Sequence, residues 1–532
     1  MRLIRELEGR SPISEIFRKV YREEDAVFLD SSLQNGLGRY SVIGLHSYLK
    51  LVKGEEFTVN GVRQEETFEN FVRRYLKEHG DKNETGLPIV SGAIGYFSYD
   101  YGRKKEGVQT RHSAEVCIPD CILNFYDDFI IQDGADGKLY LIANGNLKPA
   151  EKALEELEKI CRDAQTSESV GGVGLASELQ GDCGMGEKAA SGAGLAGETQ
   201  GVCRMGQKAV GGVELAREPQ GDCGTGQMDE GGMELASESQ GDCGTARISA
   251  ACAELSKSPD FRIAANFEKE AYKQAVQDMI QYIIEGDIYI ANMTQHLQIT
   301  SPKEPWEVFE YLRGKNPSPF GGYLNYDDFQ IVSASPERFL RMQNGHVCTR
   351  PIKGTRKRGA TPAEDRALRQ ELESSEKDKS ELLMIVDLER NDLNRVCLPG
   401  SVKVTELFTV EEYATVFHLV SNVEGDLAPE MTVMDLLEAA FPGGSITGAP
   451  KLRAMEIIDE LEHSQRNLYT GSIGYLTLDG CCDFNIVIRT ALYKDGVYYL
   501  GVGGGITCES ELEFEYEETL QKAKALLEAL KP

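Results

Sequence analysis

No stretch of this sequence is apolar enough to span a bilayer. Its opening, Met1-Arg2-Leu3-Ile4-Arg5-Glu6-Leu7-Glu8, has neither the apolar core nor the small-residue cleavage pattern of a secretion signal. A cytoplasmic protein is expected, with no membrane partner. Positive charge is also short, since 57 Lys and Arg stand against 86 Asp and Glu and leave a formal charge of −29. Nucleic acid is therefore not expected as a partner, because a phosphate backbone repels an acidic surface and rewards clustered Lys and Arg. An anionic small molecule stays open, because a recessed site can oppose the field of the whole surface. Histidine is scarce, at seven residues, and none falls in residues 164–257. Cysteine is plentiful, but thirteen is an odd number and no secretion signal accompanies it, so reduced thiols are expected rather than a disulfide framework.

The chain at 532 residues can bury a sizeable core, and one segment interrupts it. Leu175, Leu195, Leu215 and Leu235 recur every 20 residues, in register with Cys183, Cys203, Cys223 and Cys243. Each unit is rich in Gly, Ser, Gln and acidic residues and has too few large apolar side chains to offset the entropy of ordering. A solenoid needs several inward aliphatic positions per repeat, and zinc needs closely spaced Cys or His; neither is here. Residues 164–257 are expected to be a disordered, low-complexity insertion between two folded parts, 1–163 and 258–532.

In the first part, alternation over Tyr48–Lys53 and Phe57–Val59, with turns at Gly54 and Asn60-Gly61, predicts hairpin strands. Helices are expected near Glu66–His79 and from Pro149 to about Cys161, and strands near Gly92–Tyr99 and Ile122–Ile131. In the second part, helical periodicity covers Glu268–Glu285, Pro362–Arg395, Thr432–Ala440, Pro450–Leu461 and Leu512–Leu530. Strands are expected at 322–324, 329–333, 338–342, 346–351, 471–478, 483–493 and 497–501. Strands and helices do not alternate strictly, so an α+β fold of antiparallel sheets fits better than a doubly wound parallel sheet.

Four features point to chemistry. Lys353, in Arg350-Pro351-Ile352-Lys353-Gly354-Thr355, is either a nucleophilic amine beside a Gly-Thr turn or part of a solvated basic turn with Arg356, Lys357 and Arg358. On the last helix Glu515, Glu518 and Lys522 fall at i, i+3 and i+7, one stripe that is either a salt-bridged surface or a charged site. Just before it, Gly503-Gly504-Gly505 lets a ligand approach the backbone closely. Glu381 lies where a helix passes from polar to apolar; joined to Glu515 and Glu518 it would make an all-oxygen site for a hard cation such as Mg²⁺. The turn Phe441–Lys451 is rich in Gly but lacks the Gly-Lys-Ser/Thr ending of a phosphate loop.

In order along the chain, Ser335-Pro336-Glu337-Arg338-Phe339, the Lys353 run, Asp387–Leu393, Pro442–Lys451, Gly471–Tyr475, Ile488-Arg489-Thr490 and the Gly503 run resemble the chorismate-utilising enzymes. That family includes the aminodeoxychorismate and anthranilate synthase component I enzymes. The resemblance extends from about residue 262 to the C-terminus. Weaker matches at Phe28–Ser31, Gly38–Ser41 and Gly92–Phe97 make residues 1–163 similar to the N-terminal region of anthranilate synthase component I. It implies a sandwich of antiparallel sheets with helices outside.

For the site, the resemblance implies Mg²⁺ held by Glu381 and Glu518, with Glu515 close by. The enolpyruvyl carboxylate of chorismate would meet Arg489 and Tyr475, and the other end would meet Lys522, Thr355 and the amides of Gly503, Gly504 and Gly505. Glu337 would be acid and base, and His418 would lie beside the reacting ring. Lys353 matches the Pro-Ile-Lys-Gly-Thr signature of the aminodeoxychorismate branch, where anthranilate enzymes typically have alanine. It would attack ring carbon C2 as an unprotonated amine. Ile290 stands where relatives commonly have Gln, or Lys in the water-adding enzymes, and an aliphatic group cannot activate water.

Phe28-Leu29-Asp30-Ser31 and Asn316-Pro317-Ser318-Pro319-Phe320 resemble the frame of a tryptophan pocket, with Asp30, Ser31, Pro317 and Phe320 as its candidates. No glutaminase or lyase segment is evident, so a separate glutamine amidotransferase subunit is the expected source of ammonia. The expected activity is amination of chorismate to 4-amino-4-deoxychorismate for p-aminobenzoate and folate. Anthranilate synthase component I is the close alternative. A non-catalytic aromatic-ligand-binding subunit is the distant one, and it should lack the carboxylates that are present here.

Overall fold

The computed structural model describes residues 1–8, 11–34, 36–171, 261–413 and 416–532, without the side chains of 166–171. Every strand ladder among them is antiparallel, and the ladders grow in two directions from one pair of long strands, Tyr40–Lys53 and Cys121–Asp133. One branch runs from Cys121–Asp133 through Gly92–Phe97, Ser472–Thr477, Cys482–Asn485, Arg338–Gln343 and His346–Thr349 to Val416–Asp426. The other runs from Tyr40–Lys53 through Val27–Asp30, Phe320–Asn325, Phe329–Ser335, Thr490–Lys494 and Val497–Ile506 to Ile290–Thr300.

The period-two alternation of the strands explains the layers. Ile94 and Tyr96 from one sheet meet Val27, Phe329 and Ile331 from the other in a shared core. Their neighbours Ala93 and Phe97 turn the other way, under the helices Phe68–Glu78, Glu376–Asn394 and Val433–Ala440. Phe28, Val332 and Ala334 turn outward to Ile13–Phe17, Ala150–Gly171, Pro305–Lys315 and Leu512–Leu530. The result is an α+β sandwich with helices outside.

The two stretches on either side of the repeat are not separate bodies. Val27–Asp30 pairs with Phe320–Asn325 and Gly92–Phe97 with Ser472–Thr477, so the described residues of 1–171 and 261–532 form one compact unit. Unpaired strand edges are costly, and the early strands satisfy theirs on the later ones. The helix expected to stop near Cys161 continues to Gly171, because Arg162-Asp163-Ala164-Gln165 offers no helix breaker. The repeats of the disordered-insertion expectation otherwise lie outside the described residues. Among the described residues no helix is long and apolar enough to cross a membrane, and the cysteines are free thiols.

Local differences sit beside the future site. The Lys353 run is not a turn but a strand, Ile352–Lys357, paired with Val416–Asp426 and bulged where Lys353 faces Leu419 and Thr355 faces His418. Gly354 takes φ 67° there, and a Cβ on it would meet Leu372 at 2.8 Å and Asp378 at 2.9 Å, so glycine is required twice over. The strand expected over 483–493 is broken by residues 486–489, where Arg489 has φ 51°.

Candidate active site

One cavity of about 390 Å³ gathers the motifs. Its first wall is the bulged strand, which directs Lys353 Nζ to the Ser445 carbonyl at 3.2 Å. Ser445 sits on the short helical turn Gly444–Ile446 of the glycine-rich segment. Thr355 Oγ1 lies 2.9 Å from His418 Nδ1 across the ladder. Burial and the Arg489 cation draw His418 down to about 4, so its ring is neutral near pH 7.

Glu337 stands on the tight link between Phe329–Ser335 and Arg338–Gln343. The link is pinned by the Ile486 N–H on the Glu337 carbonyl at 3.0 Å and by Arg338 on both oxygens of Asp483 at 2.9 and 3.0 Å. Burial raises the Glu337 carboxyl above the usual range, against the pull of Lys353 and hydrogen bonds from Ser445 and the Ile352 amide. A carboxyl so placed holds its proton to a higher pH than an exposed one does.

Arg489 is the second cation. Its side chain is crowded by protein atoms but exposed to solvent in the open cavity, and it makes no direct ion pair or side-chain hydrogen bond among the described residues. Burial draws it below the usual arginine range, while Glu337 pulls the other way. A recessed guanidinium with its planar face free is a ready seat for a carboxylate. The left-handed backbone that aims it is of the kind held in strain at working sites, at a cost of about 1–3 kcal/mol.

The far wall is the strand Val497–Ile506 under the last helix. Beyond Gly501 this strand has Ile290–Thr300 as its neighbour on one side, so alternate backbone groups face away from it. Lys522 Nζ takes one of them, donating to the Gly503 carbonyl at 2.8 Å and to Glu518 at 2.9 Å. A Cβ on Gly504 would lie 2.7 Å from Glu518 Oε2 and 3.2 Å from Glu515 Oε2, so the bare backbone makes room for both acids. Ile290 packs beside Gly505, an apolar patch at this end.

Glu381 faces this pair from the helix Glu376–Asn394. Burial raises its carboxyl, with Asp378 and Glu518 adding to the rise against Lys353 and Lys377; burial and Glu518 likewise raise Glu515, against a hydrogen bond from Ser510. Among the described residues no three His, Cys, Asp or Glu side chains stand close enough to form a ready cage for a metal. The set still fits a hard cation in chemistry: its donors are all oxygen, they are half-buried or buried, and they repel one another. Mg²⁺ commonly keeps several waters and uses one or two carboxylates plus substrate oxygens, so acids divided across a cavity suit it.

Tyr475 is not in this cavity. Its place in the strand Ser472–Thr477 gives it the same face as Ile473, and it lines a separate cavity of about 510 Å³ with Asp30, Ser31 and Phe320. Pro317 is exposed and outside that lining, which Pro319 supplies instead. The tyrosine in the catalytic cavity is Tyr469, on the link after the helix Lys451–Leu461, with its ring over Gly501. The neighbouring Arg466, fully buried, holds this floor together by pairing with Glu462 and donating to the Ile446 carbonyl at 2.7 Å and to the Asn292 carbonyl. No periodic pattern marks Tyr469; the nearest signal is Arg466 four residues after Glu462.

The comparisons with known proteins agree with this geometry. Residues 233–528 match the family of chorismate binding enzymes. The chain is 32% identical to anthranilate synthase component 1 of Acetivibrio thermocellus, over 98% of this chain and 92% of that protein. It is 33% identical to aminodeoxychorismate synthase component 1 of Bacillus subtilis, over 93% and 89%. Identity rises to 48% with aminodeoxychorismate synthase component 1 of Salmonella typhimurium, but over 50% of this chain and 59% of that one. The solved anthranilate synthase component I from Streptococcus pneumoniae superposes with a TM-score of 0.67 at 27% identity, covering 93% of each chain. By the family match and by relatives aligned along nearly its whole length, this chain belongs to the chorismate binding enzymes.

Proposed function

We propose that this chain is the chorismate-aminating component of an aminodeoxychorismate synthase, which replaces the C4 hydroxyl of chorismate by ammonia to give 4-amino-4-deoxychorismate for p-aminobenzoate and folate. One observation carries the reading above the others: the amine of Lys353 opens into the cavity that holds the unpaired Arg489 guanidinium. The alanine that anthranilate enzymes typically have at that position cannot act as a nucleophile; an amine can.

Arg489 and Tyr469 take the enolpyruvyl carboxylate, and Lys522 with the free backbone groups of Gly503 to Gly505 serves the ring end. Glu381, Glu515 and Glu518 would hold Mg²⁺, which supplies positive charge for the ring carboxylate. Lys353 Nζ forms a bond to C2 while both ring double bonds shift toward C4 and the C4–O bond breaks, and Glu337 gives its proton to the departing oxygen, releasing water. Ammonia then forms a C4–N bond, the double bonds shift back, and the C2–Nζ electron pair returns to the lysine. The proton shed by the new ammonium group goes to the Glu337 carboxylate, restoring the acid. Neutral His418, hydrogen-bonded to Thr355, fixes the wall beside the ring. The ammonia is supplied by a separate glutamine amidotransferase subunit, and the protein works in the cytoplasm.

Anthranilate synthase component 1 is the second reading, favoured by relatives of that name at similar identity along the whole chain. Incubating the purified chain with chorismate, Mg²⁺ and ammonium chloride separates the two. A product that yields p-aminobenzoate only after a lyase is added supports the proposal; fluorescent anthranilate formed without a lyase overturns it.

A further inference from the structure

Behind Tyr469 lies a second, much smaller cavity of about 30 Å³, which shares Tyr469 and Gly501 with the catalytic one. The partition is thin, since a Cβ on Gly501 would stand 2.1 Å from the Tyr469 ring. A cavity needs about 10–15 Å³ of such space to hold one water, so one water or one ammonia fits. Its walls are largely apolar, with Val116, Leu468, Leu492 and Leu500 among them.

Polar groups also line it: Gln465, Asn467, Thr490 and Arg466, whose charge is met by Glu462, and two that matter most here, His296 and Glu115. His296, its side chain 10% exposed, stands edge-on to Tyr469 with ring centroids 6.1 Å apart, and its Nε2 has no hydrogen-bond partner. A buried ring nitrogen left open is costly and calls for an occupant. On the other side of the ring, Nδ1 faces Glu115 Oε2 at 3.5 Å, and Glu115, 18% exposed, forms the outer end of the cavity. Burial would raise the Glu115 carboxyl, but hydrogen bonds from His296, Gln298 and Ser464 outweigh it and keep it ionised. With the Nδ1 proton directed at that carboxylate, Nε2 carries the lone pair and is the acceptor.

We infer that this alcove is an ammonium site that delivers ammonia to the catalytic cavity, with Glu115 and His296 as its positioning residues. The inference rests on the amination reading above. An ammonium ion meets the Glu115 carboxylate; one of its N–H bonds breaks as the proton moves to His296 Nε2, the electron pair stays on nitrogen, and neutral ammonia remains. The imidazolium is balanced by Glu115 across Nδ1, and Nε2 gives its proton to the water that refills the alcove while Nδ1 keeps its own, restoring the acceptor. Ammonia, uncharged, then crosses beside the Tyr469 ring, where an ammonium ion would pay the desolvation of its charge.

The test uses the full chain and its Glu115→Gln and His296→Phe variants, in steady state with ammonium chloride as the nitrogen source. The expected result is a rise of about ten-fold in the KM for ammonium in both variants, the scale of one lost charge-assisted hydrogen bond, with a fall in kcat as well in His296→Phe, which lacks the proton acceptor, and the KM for chorismate unchanged. An unchanged ammonium KM in both variants means a structural water only and overturns the inference. A parallel rise in both KM values, the mark of a distorted fold, overturns it too. Wild type that aminates chorismate while the variants behave identically defeats the alcove alone; wild type with no ammonium-dependent turnover defeats the amination reading with it.

Discussion

The cavity that holds Lys353 and Arg489 and the one beside Tyr475 differ less in size than in how their charges are settled. The one beside Tyr475 is the larger, about 510 Å³ against about 390 Å³. Most of its charged side chains are paired within the protein, Asp30 with Arg313 at 2.8 Å, Arg338 with Asp483 at 2.9 Å and Arg39 with Asp133 at 2.6 Å, while Arg341 and Asp479 line it without an ion pair among the described residues. In the catalytic cavity Arg489 has no direct partner, Lys353 rests on a carbonyl, and Glu337, Glu381 and Glu515 are carboxyls whose burial is only partly compensated. A folded chain tolerates such uncompensated charge where an outside molecule completes it.

That contrast is breakable at several points. The largest effect is expected from Arg489→Ala, which should lower kcat/KM for chorismate by about a thousand-fold, or about 4 kcal/mol, with thermal stability unchanged or raised. Arg338→Ala should do the reverse, lowering unfolding free energy by about 3 kcal/mol in urea titration by stranding the nearly buried Asp483, with less effect on kcat. If Arg338→Ala fails in catalysis but not in stability, paired charge is not structural here.

His418 gives a smaller, pH-dependent effect. Its folded pKa of about 4 lies below the ordinary 6.5, so the unfolded chain binds more protons between those values and stability falls as pH drops through that window. His418→Gln should remove about 2 kcal/mol of that loss, read as a flatter stability profile between pH 6.5 and 4. The smallest effect compares the two tyrosines: Tyr469→Phe should raise the KM for chorismate by about five-fold, the worth of one hydrogen bond, and Tyr475→Phe should leave it alone. Equal effects would mean that the two cavities communicate.

The sequence carried the catalytic wall better than the floor. Glu515, Glu518 and Lys522 were legible because helical spacing alone puts them on one stripe, and Gly503 to Gly505 because three glycines in a row leave a backbone bare. Lys353 was legible as a residue but not as a strand, since a bulge depends on the partner strand Val416–Asp426, more than 60 residues away. Tyr475 was misplaced because a motif gives proximity in sequence, whereas strand parity decides the face. Tyr469, on an irregular link held by the buried Arg466–Glu462 pair, had no pattern to declare it. The joining of residues 1–163 to the rest was equally hidden, because edge pairing between distant strands leaves no local mark.

The most direct test withholds the second nucleophile. With chorismate and Mg²⁺ but no ammonium, rapid acid quench followed by peptide mass spectrometry should find dehydrated chorismate bound to the peptide that contains Lys353, and the adduct should vanish when ammonium is added. No adduct in the wild type, together with full turnover by Lys353→Ala, would contradict the account.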